Sequence, residues 1–456
     1  MKNEQLIRSC LFMLAVCLSI VPSRAQDSNF TLEEAVDYAI KNNINIKNTQ
    51  LDAVSAEARI GEIRAAGLPQ LSVNASITDN LIIQRFFLPP GGFGGDPTAP
   101  VSSEPVAIEF GVKKQGTAAA TLNQLIFNGS YFIGLKAAST YRELAQKNTV
   151  QSKVNVAEAV TKAYYSVQVA VEKAKVLDYN ISRIDTSMRE TKAMNESGFV
   201  ELLDVNRLEV QRNNLLTERQ KVQNLIELSF TLLKYQMGMA LDQPMKLTDT
   251  IDNVDLEKLR QETSANEVTY ENRIEYSLLN TQEKLADLDI RNVRAGYLPS
   301  LSATVGYGHN AGANTYADLF TMKWFNNSVV ALNLNVPIFD GFTKRYQVEQ
   351  KKIALDKVRN GRTLLKQSID LEASQAGINI KNAFATLETQ KRNMDLAQEI
   401  VRVSKIKYKE GVGSNIEVIN AESDFKEAQT NYFAALYDLM IAKVDLSKAK
   451  GELYND

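Results

Sequence analysis

Few side chains in this chain could do covalent or metal chemistry, and they do not come together in the sequence. The cysteines are Cys10 and Cys17, and the one histidine is His309. Lys2 and Arg8 flank a basic start, Cys10 to Val21 form a short and mostly apolar run, and Ser23-Arg24-Ala25 puts small residues at the −3 and −1 positions. That is the pattern of a secretory signal peptide over residues 1–25, cut before Gln26. The run is too short to stay in a bilayer as a spanning helix. Cleavage would remove both thiols, leaving none for a disulfide, a nucleophile or a metal site. The alternative is a lipoprotein acylated at Cys17, where Val16 stands in a place that usually holds Gly or Ala. His309 has no cysteine partner and no HExxH spacing, and no GxSxG, Walker or dinucleotide fingerprint occurs. The chain is therefore expected not to be an enzyme and to need no cofactor or metal. What remains are two carboxylates, Asp204 and Glu417, each a few residues after a glycine (Gly198, Gly411) in segments that resemble each other.

Charge and composition narrow the classes further. The chain has 52 Lys plus Arg against 54 Asp plus Glu, and 49 against 53 without the signal region, so nothing favours nucleic acid as a partner. Only 22 Gly and 10 Pro in 456 residues leave room for long uninterrupted helices. After residue 25 no apolar stretch is long enough for a membrane helix, so a β-barrel is the remaining way into a bilayer.

The chain repeats itself. Residues 42–69 and 272–299 match at an offset of 230, with Asn42 over Asn272, Ile44 over Ile274 and Leu68-Pro69 over Leu298-Pro299. Gln124-Leu-Ile-Phe-Asn-Gly129 matches Val336-Pro-Ile-Phe-Asp-Gly341 at 212, and Gly198 to Val205 matches Gly411 to Val418 at 213. A longer insert near residues 86–106 in the first half explains the smaller offset. The domains expected are a first repeat over 26–240, a linker over 241–265, and a second repeat over 266–456.

Each half has one layout. A helix comes first (31–66 and about 266–297), opened in the first half by Thr31 and Glu34 as a capping box and closed by Leu-Pro. Period-2 alternation follows, as in Leu71, Val73, Ala75 and Ile77 against Ser72, Asn74, Ser76 and Thr78. Strands are expected at about 70–85, 112–126, 299–308 and 327–338. Between the paired strands lie a Gly/Pro-rich surface loop (88–106) and a second loop (309–325). Phe86, Phe87, Trp324 and Phe325 stand near strand ends, where rings meet a headgroup layer or pack under loops. Proline-free helices then run from about Ser130 to Asn195 and from Phe342 to Glu410. Shorter helices return over 202–237 and 415–453. Gly198 and Gly411 are expected in the turns between them, and Gly129 and Gly341 in turns where strands give way to helices.

Four strands cannot close a membrane barrel, for which eight is the usual minimum, and lipid tolerates no open sheet edge. Strands embedded in a membrane therefore require several copies of the chain, though strand arithmetic alone does not choose two, three or four. The doubled opening TLEEAVDYAIKNN to LPQL, the FNG and FDG turns, and the ending GVGSNIEVINAESDFKEAQTNYF resemble the TolC-like outer membrane efflux proteins over residues 29–453. The resemblance implies a mainly α fold with a membrane β-barrel. Three chains would share twelve strands in the outer membrane and build a long helical tunnel in the periplasm. It further implies a periplasmic membrane-fusion adaptor and an inner-membrane exporter, proton-driven or ATP-driven, as partners in efflux or type I secretion. The rival reading is a periplasmic adaptor or structural coiled-coil protein.

The resemblance also implies roles at the periplasmic tip. Glu417 matches the principal acidic residue of the closed entrance, and Asn420 stands where a second acid is found. Tyr408 matches a tyrosine that helps hold the entrance shut, Gly413 replaces an arginine of the same latch, and Asp204 matches an aspartate contributing to the same constriction. The bland reading of Asp204 and Glu417 is that each favours the dipole of a helix start. For Tyr408 it is ordinary interhelical packing. Residues 241–265, with the C-terminus, resemble the equatorial region.

Overall fold

The computed structural model describes residues 28–88, 105–249, 251 and 269–454. In chain order the elements are β1 (Ser28–Phe30), α1 (Leu32–Asn42), α2 (Ile44–Ala65), β2 (Gln70–Asp79), β3 (Arg85–Leu88), β4 (Val106–Glu109), β5 (Lys114–Phe127), α3 (Gly129–Glu196) and α4 (Leu202–Met237). Then come β6 (Met245–Leu247), a 3-10 turn at Tyr270–Asn272, α5 (Ile274–Ala295), β7 (Ser300–Ala313), α6 (Tyr316–Thr321), β8 (Phe325–Asn335), α7 (Thr343–Lys409) and α8 (Asn415–Lys450). They fall into two units. One holds residues 52–145 and 279–361; the other holds the chain up to 51, 146–278 and 362 onward.

The duplication is visible element by element. Helices α2 and α5 are both 22 residues and begin 230 positions apart; α4 and α8 are both 36 residues and begin 213 apart. The long helices α3 and α7 have 68 and 67 residues, so each rises about 100 Å at 1.5 Å per residue.

In the strand-bearing unit, four antiparallel strands lie in the order β2-β5-β7-β8. Directly opposed residues share a face. Leu71, Val73 and Ile77 therefore line up with Ala120, Leu122, Val305, Val330, Leu332 and Leu334 on one apolar face. The other face carries hydroxyls and amides that bond across strands. Ser76 and Thr117 hydroxyls are 2.8 Å apart, Thr304 Oγ1 donates to Asn123 Oδ1 at 2.9 Å, and Asn333 Nδ2 donates to Thr304 Oγ1 at 3.3 Å. Leu71, Val73, Val330 and Leu332 are exposed in the single chain, with relative accessibilities between 67% and 80%. An apolar face this open has no place in water.

Several expected boundaries move. The first strand stops at Asp79 rather than 85, because Asn80 turns the chain: its backbone N–H donates to Lys113 O at 2.7 Å and its amide to Val112 O at 3.0 Å. Residues 85–88 instead start a separate hairpin with β4, tied by Arg85 to Glu109 at 2.9 Å. Strand β7 runs on to Ala313, five residues past the expected end, and the 309–325 loop contains α6. Strand β8 ends at Asn335 and not 338, since Pro337 has no N–H for the ladder. The loop expected over 88–106 lies mostly outside the described residues, as does 252–265 of the linker.

The helical unit packs around small and branched side chains. Ala35, Ala39, Ile46, Val160, Tyr164, Leu233 and Met237 form one core cluster. Phe384, Leu387, Leu436, Leu439 and Met440 belong to another. Strand β1 pairs in parallel with β6 of the linker, Phe30 opposite Leu247. The Thr31–Glu34 capping box forms as expected, with both reciprocal bonds. The helix expected over 31–66 is broken at Asn43, whose backbone is extended (φ −60°, ψ 131°). Asn43 compensates by accepting from Asn45 N at 2.8 Å and donating to Gln236 O at 2.7 Å. Its counterpart Arg273 donates to Ala449 O at 3.1 Å, the carbonyl 213 residues after Gln236. One joint is thus built twice with different side chains.

Candidate functional site

The sequence placed its site at the two helix–turn–helix tips, and both tips have the same backbone. In the first, Gly198 N donates to Asn195 O at 2.9 Å and Phe199 N to Met194 O at 2.9 Å. In the second, Gly411 N donates to Tyr408 O at 3.1 Å and Val412 N to Lys407 O at 3.0 Å, the same bonds 213 residues on. Gly198 and Gly411 have φ of 74° and 73°, the left-handed region that closes a helix end and that L side chains avoid. Gly341 also has positive φ, 65°. Gly129 does not take the turn expected of it. It is the first residue of α3, and a Cβ there would lie 2.9 Å from Leu298 Cδ1 and 3.1 Å from Ala295 O, so its small size serves close packing.

Asp204 sits in the first turn of α4 and is partly exposed, its carboxylate 3.5 Å from Arg207. Buried Asn415, at the start of α8, donates to Asp204 O at 3.2 Å and so ties one tip to the other. Tyr408 belongs to the same group. Burial pushes its phenol up from the usual value, the nearby Asp204 charge adds to this, and Thr191 opposes it. Its hydroxyl oxygen is buried without a hydrogen bond of normal geometry. Glu417 stands apart: it is exposed in the first turn of α8, and its N–H donates to the Ser414 cap at 3.4 Å. Asn420, one turn on, is exposed too. The structure brings Asp204, Tyr408 and Asn415 together and leaves Glu417 and Asn420 exposed in the single chain. Gly413 has a steric reason to lack the arginine implied by the resemblance. A Cβ there would meet Lys407 Cβ at 2.9 Å and Tyr408 N at 3.1 Å.

Sequence reading missed the charged cluster just above the tip. Glu422 of α8 is buried and pairs with Arg183 of α3 and with Lys405 of α7, the latter at 2.8 Å. Asn180 Nδ2 donates to Gln429 Oε1 at 2.7 Å on the next turns. The guanidinium of Arg183 also lies 5.0 Å from the ring centroid of Phe425. The only available signal was a Glu one turn past Val418 on a face otherwise filled by Ala421, Phe425 and Ala428. Among the described residues no three metal-ligating side chains converge, and no helix is long and apolar enough to cross a membrane.

Comparison with known proteins agrees with this layout. The family model described as outer membrane efflux protein matches residues 35–229 and 279–452, one stretch in each repeat. The chain is similar to the outer membrane protein TolC of Salmonella enteritidis, 21% identical over 453 residues, covering 97% of this chain and 85% of that one. It is also similar to the TolC of Vibrio cholerae, 19% identical, covering 74% and 77%. Among solved structures, CusC superposes with a TM-score of 0.71 at 15% identity, covering 95% of each chain. VceC of Vibrio cholerae superposes at 0.70 and 13%, covering 92% of this chain and 96% of that one. At such identities the superpositions speak for the fold alone, and nothing in them supports the adaptor reading. Two matched repeats, one amphipathic strand pair in each and helices of nearly 70 residues lead to one conclusion: the chain belongs to the outer membrane efflux protein family.

Proposed function

We propose that three copies of this outer-membrane channel protein close one twelve-stranded barrel and one periplasmic tunnel. The tunnel gives passive passage to substrates delivered by an inner-membrane pump through a periplasmic adaptor. One observation carries the shared barrel. The four-stranded sheet has an apolar face and two unpaired edges, β2 and β8. In lipid each open edge would strand N–H and C=O groups at several kcal/mol apiece, roughly. Pairing β2 of one copy with β8 of the next satisfies both edges and closes the ring.

The tip gives the narrow end. Around a threefold axis, exposed Glu417 from each copy forms an acidic ring that favours cations over anions. Asn420 adds no charge to it, so the preference is weaker than two carboxylates per chain would give. The Asp204–Tyr408–Asn415 group supports the closed arrangement through the Asn415 bond and the packing of the Tyr408 ring. The hydroxyl of Tyr408 contributes little, since it has no partner of normal geometry.

Cysteine cross-linking between edge strands tests the shared barrel. A panel pairing Ser72→Cys, Asn74→Cys or Ser76→Cys in β2 with Asn327→Cys or Asn333→Cys in β8 should give dimer and trimer bands on a denaturing gel, and nothing larger. A panel without intermolecular bands, or a ladder running past three, rejects the closed trimer.

A further inference from the structure

Helix α6 and Trp324 lie on the apolar side of the sheet. Gly116 is directly opposite Ala311, and both share their face with Val305, Leu332 and Ile77. The Trp324 ring covers Gly116 so closely that a Cβ there would be 2.6 Å from it. Ala311, Ala313 and Leu319 are buried with Trp324 beneath α6. Small residues in the sheet thus form a footprint for the helix.

The attachment is specific. Thr315 caps α6 through Asp318 N. Tyr316 Oη donates to Asp79 Oδ2 at 3.1 Å, Lys114 pairs with the same carboxylate, and Lys114 Nζ lies 4.2 Å from the Tyr316 ring centroid. Trp324 Nε1 donates to Leu319 O at 3.3 Å. Tyr316, Phe320 and Met322 are exposed, with Lys323 beside them; Phe325, opposite Asn310, belongs to the other face of the sheet.

The height of this footprint can be placed. From Leu301, near the helical end of β7, to Ala311 is ten residues of strand, about 33 Å long, or roughly 25 Å vertically at a tilt near 40°. That equals the height of the apolar band of an outer-membrane barrel. At the lower boundary stand exposed Phe127, Phe132, Tyr297 and Phe339, so the band has rings at both ends. Tyr and Trp, with apolar bodies and one polar atom, are the side chains that settle at a headgroup boundary.

We propose that α6 and Trp324 form a clasp on the lipid side of the barrel, seated at the headgroup–acyl boundary of the outer leaflet and fixing the depth of the channel in the membrane. The proposal rests on the barrel reading above. Trp324 is the one tryptophan of the chain, so its fluorescence reports this position alone. The full wild-type protein is reconstituted in phosphatidylcholine vesicles whose acyl chains carry bromine near the glycerol end or near the methyl end. The clasp predicts loss of emission in brominated lipid, greater with bromine near the glycerol end, and little loss with aqueous iodide. Moving the reporter outward with Phe320→Trp in a Trp324→Phe background should keep that order and deepen the loss. Strong iodide quenching without any effect of brominated lipid would overturn the clasp, as would stronger quenching near the methyl end. If β2 cross-links to β8 while bromolipid fails, the clasp alone is wrong; if both fail, the barrel is wrong.

Discussion

At the residue scale, the side chains that hold the helical unit together differ from those singled out by the sequence. Tyr164 is fully buried, and its hydroxyl reaches both Phe30 O at 3.1 Å and Asp249 Oδ2 at 3.0 Å. Asp249 also accepts from Leu32 N at 2.8 Å, so one carboxylate ties α3, the start of α1 and the linker. Burial and the Asp249 charge push the Tyr164 phenol up, which keeps it a neutral donor. Tyr164→Phe should lower unfolding stability by about 1.5–3 kcal/mol, the range for a hydrogen bond to a charged group, read from denaturant titration. Glu158 makes a second tie, 2.8 Å from Lys162 and 2.8 Å from Lys448. Burial alone would raise its pKa, but the two lysines outweigh burial and hold it below the usual carboxylate value. A depressed folded-state pKa gives stability that is present above the unfolded value and lost as pH falls through the folded one. Melting temperature should therefore drop on acidification below about pH 4, and Lys448→Met should flatten that part of the profile. The Thr31–Glu34 cap was legible because it is local, three residues apart. The Tyr164–Asp249 bond was not, since it joins positions 85 apart and only the fold brings them together.

At the element scale, helices were more legible than strands. The Leu202 to Met237 helix lies where the sequence put it, because the glycine turn before it and Gly238 after it are both local punctuation. Strand ends were missed where hydrogen-bond partners set them, as Asn80 does for β2, or where a strand continued under α6, as β7 does. The glycines give a paired prediction. Gly451 closes α8 at φ 75°, and a Cβ there would sit 2.6 Å from Asn272 O. Gly134 lies inside α3 with nothing within 4 Å of a would-be Cβ. Gly451→Ala should destabilise by about 1–3 kcal/mol through strain and contact. Gly134→Ala should stabilise by roughly 0.5–1 kcal/mol through helix propensity. Thermal melts of the two variants should move in opposite directions.

At the scale of the whole molecule, duplication was the most legible feature, since matched motifs survive where single positions drift. The joint at Asn43 and Arg273 shows the drift: both reach an equivalent carbonyl, yet an amide and a guanidinium share no sequence signal. The buried Glu422 cluster was likewise invisible, because Glu422 on α8 finds its partners on two other helices, α3 and α7. That several copies must share one barrel is a property of no single chain, and it follows from the open edges β2 and β8 only once lipid is taken as the solvent; the number three comes from the family resemblance. The most direct test is single-channel recording in planar bilayers, with oligomeric mass determined on the same detergent-purified sample. The account predicts a trimer of small, mostly closed conductance that prefers cations, a preference reduced in Glu417→Gln. A monomer or dimer without conductance would contradict it.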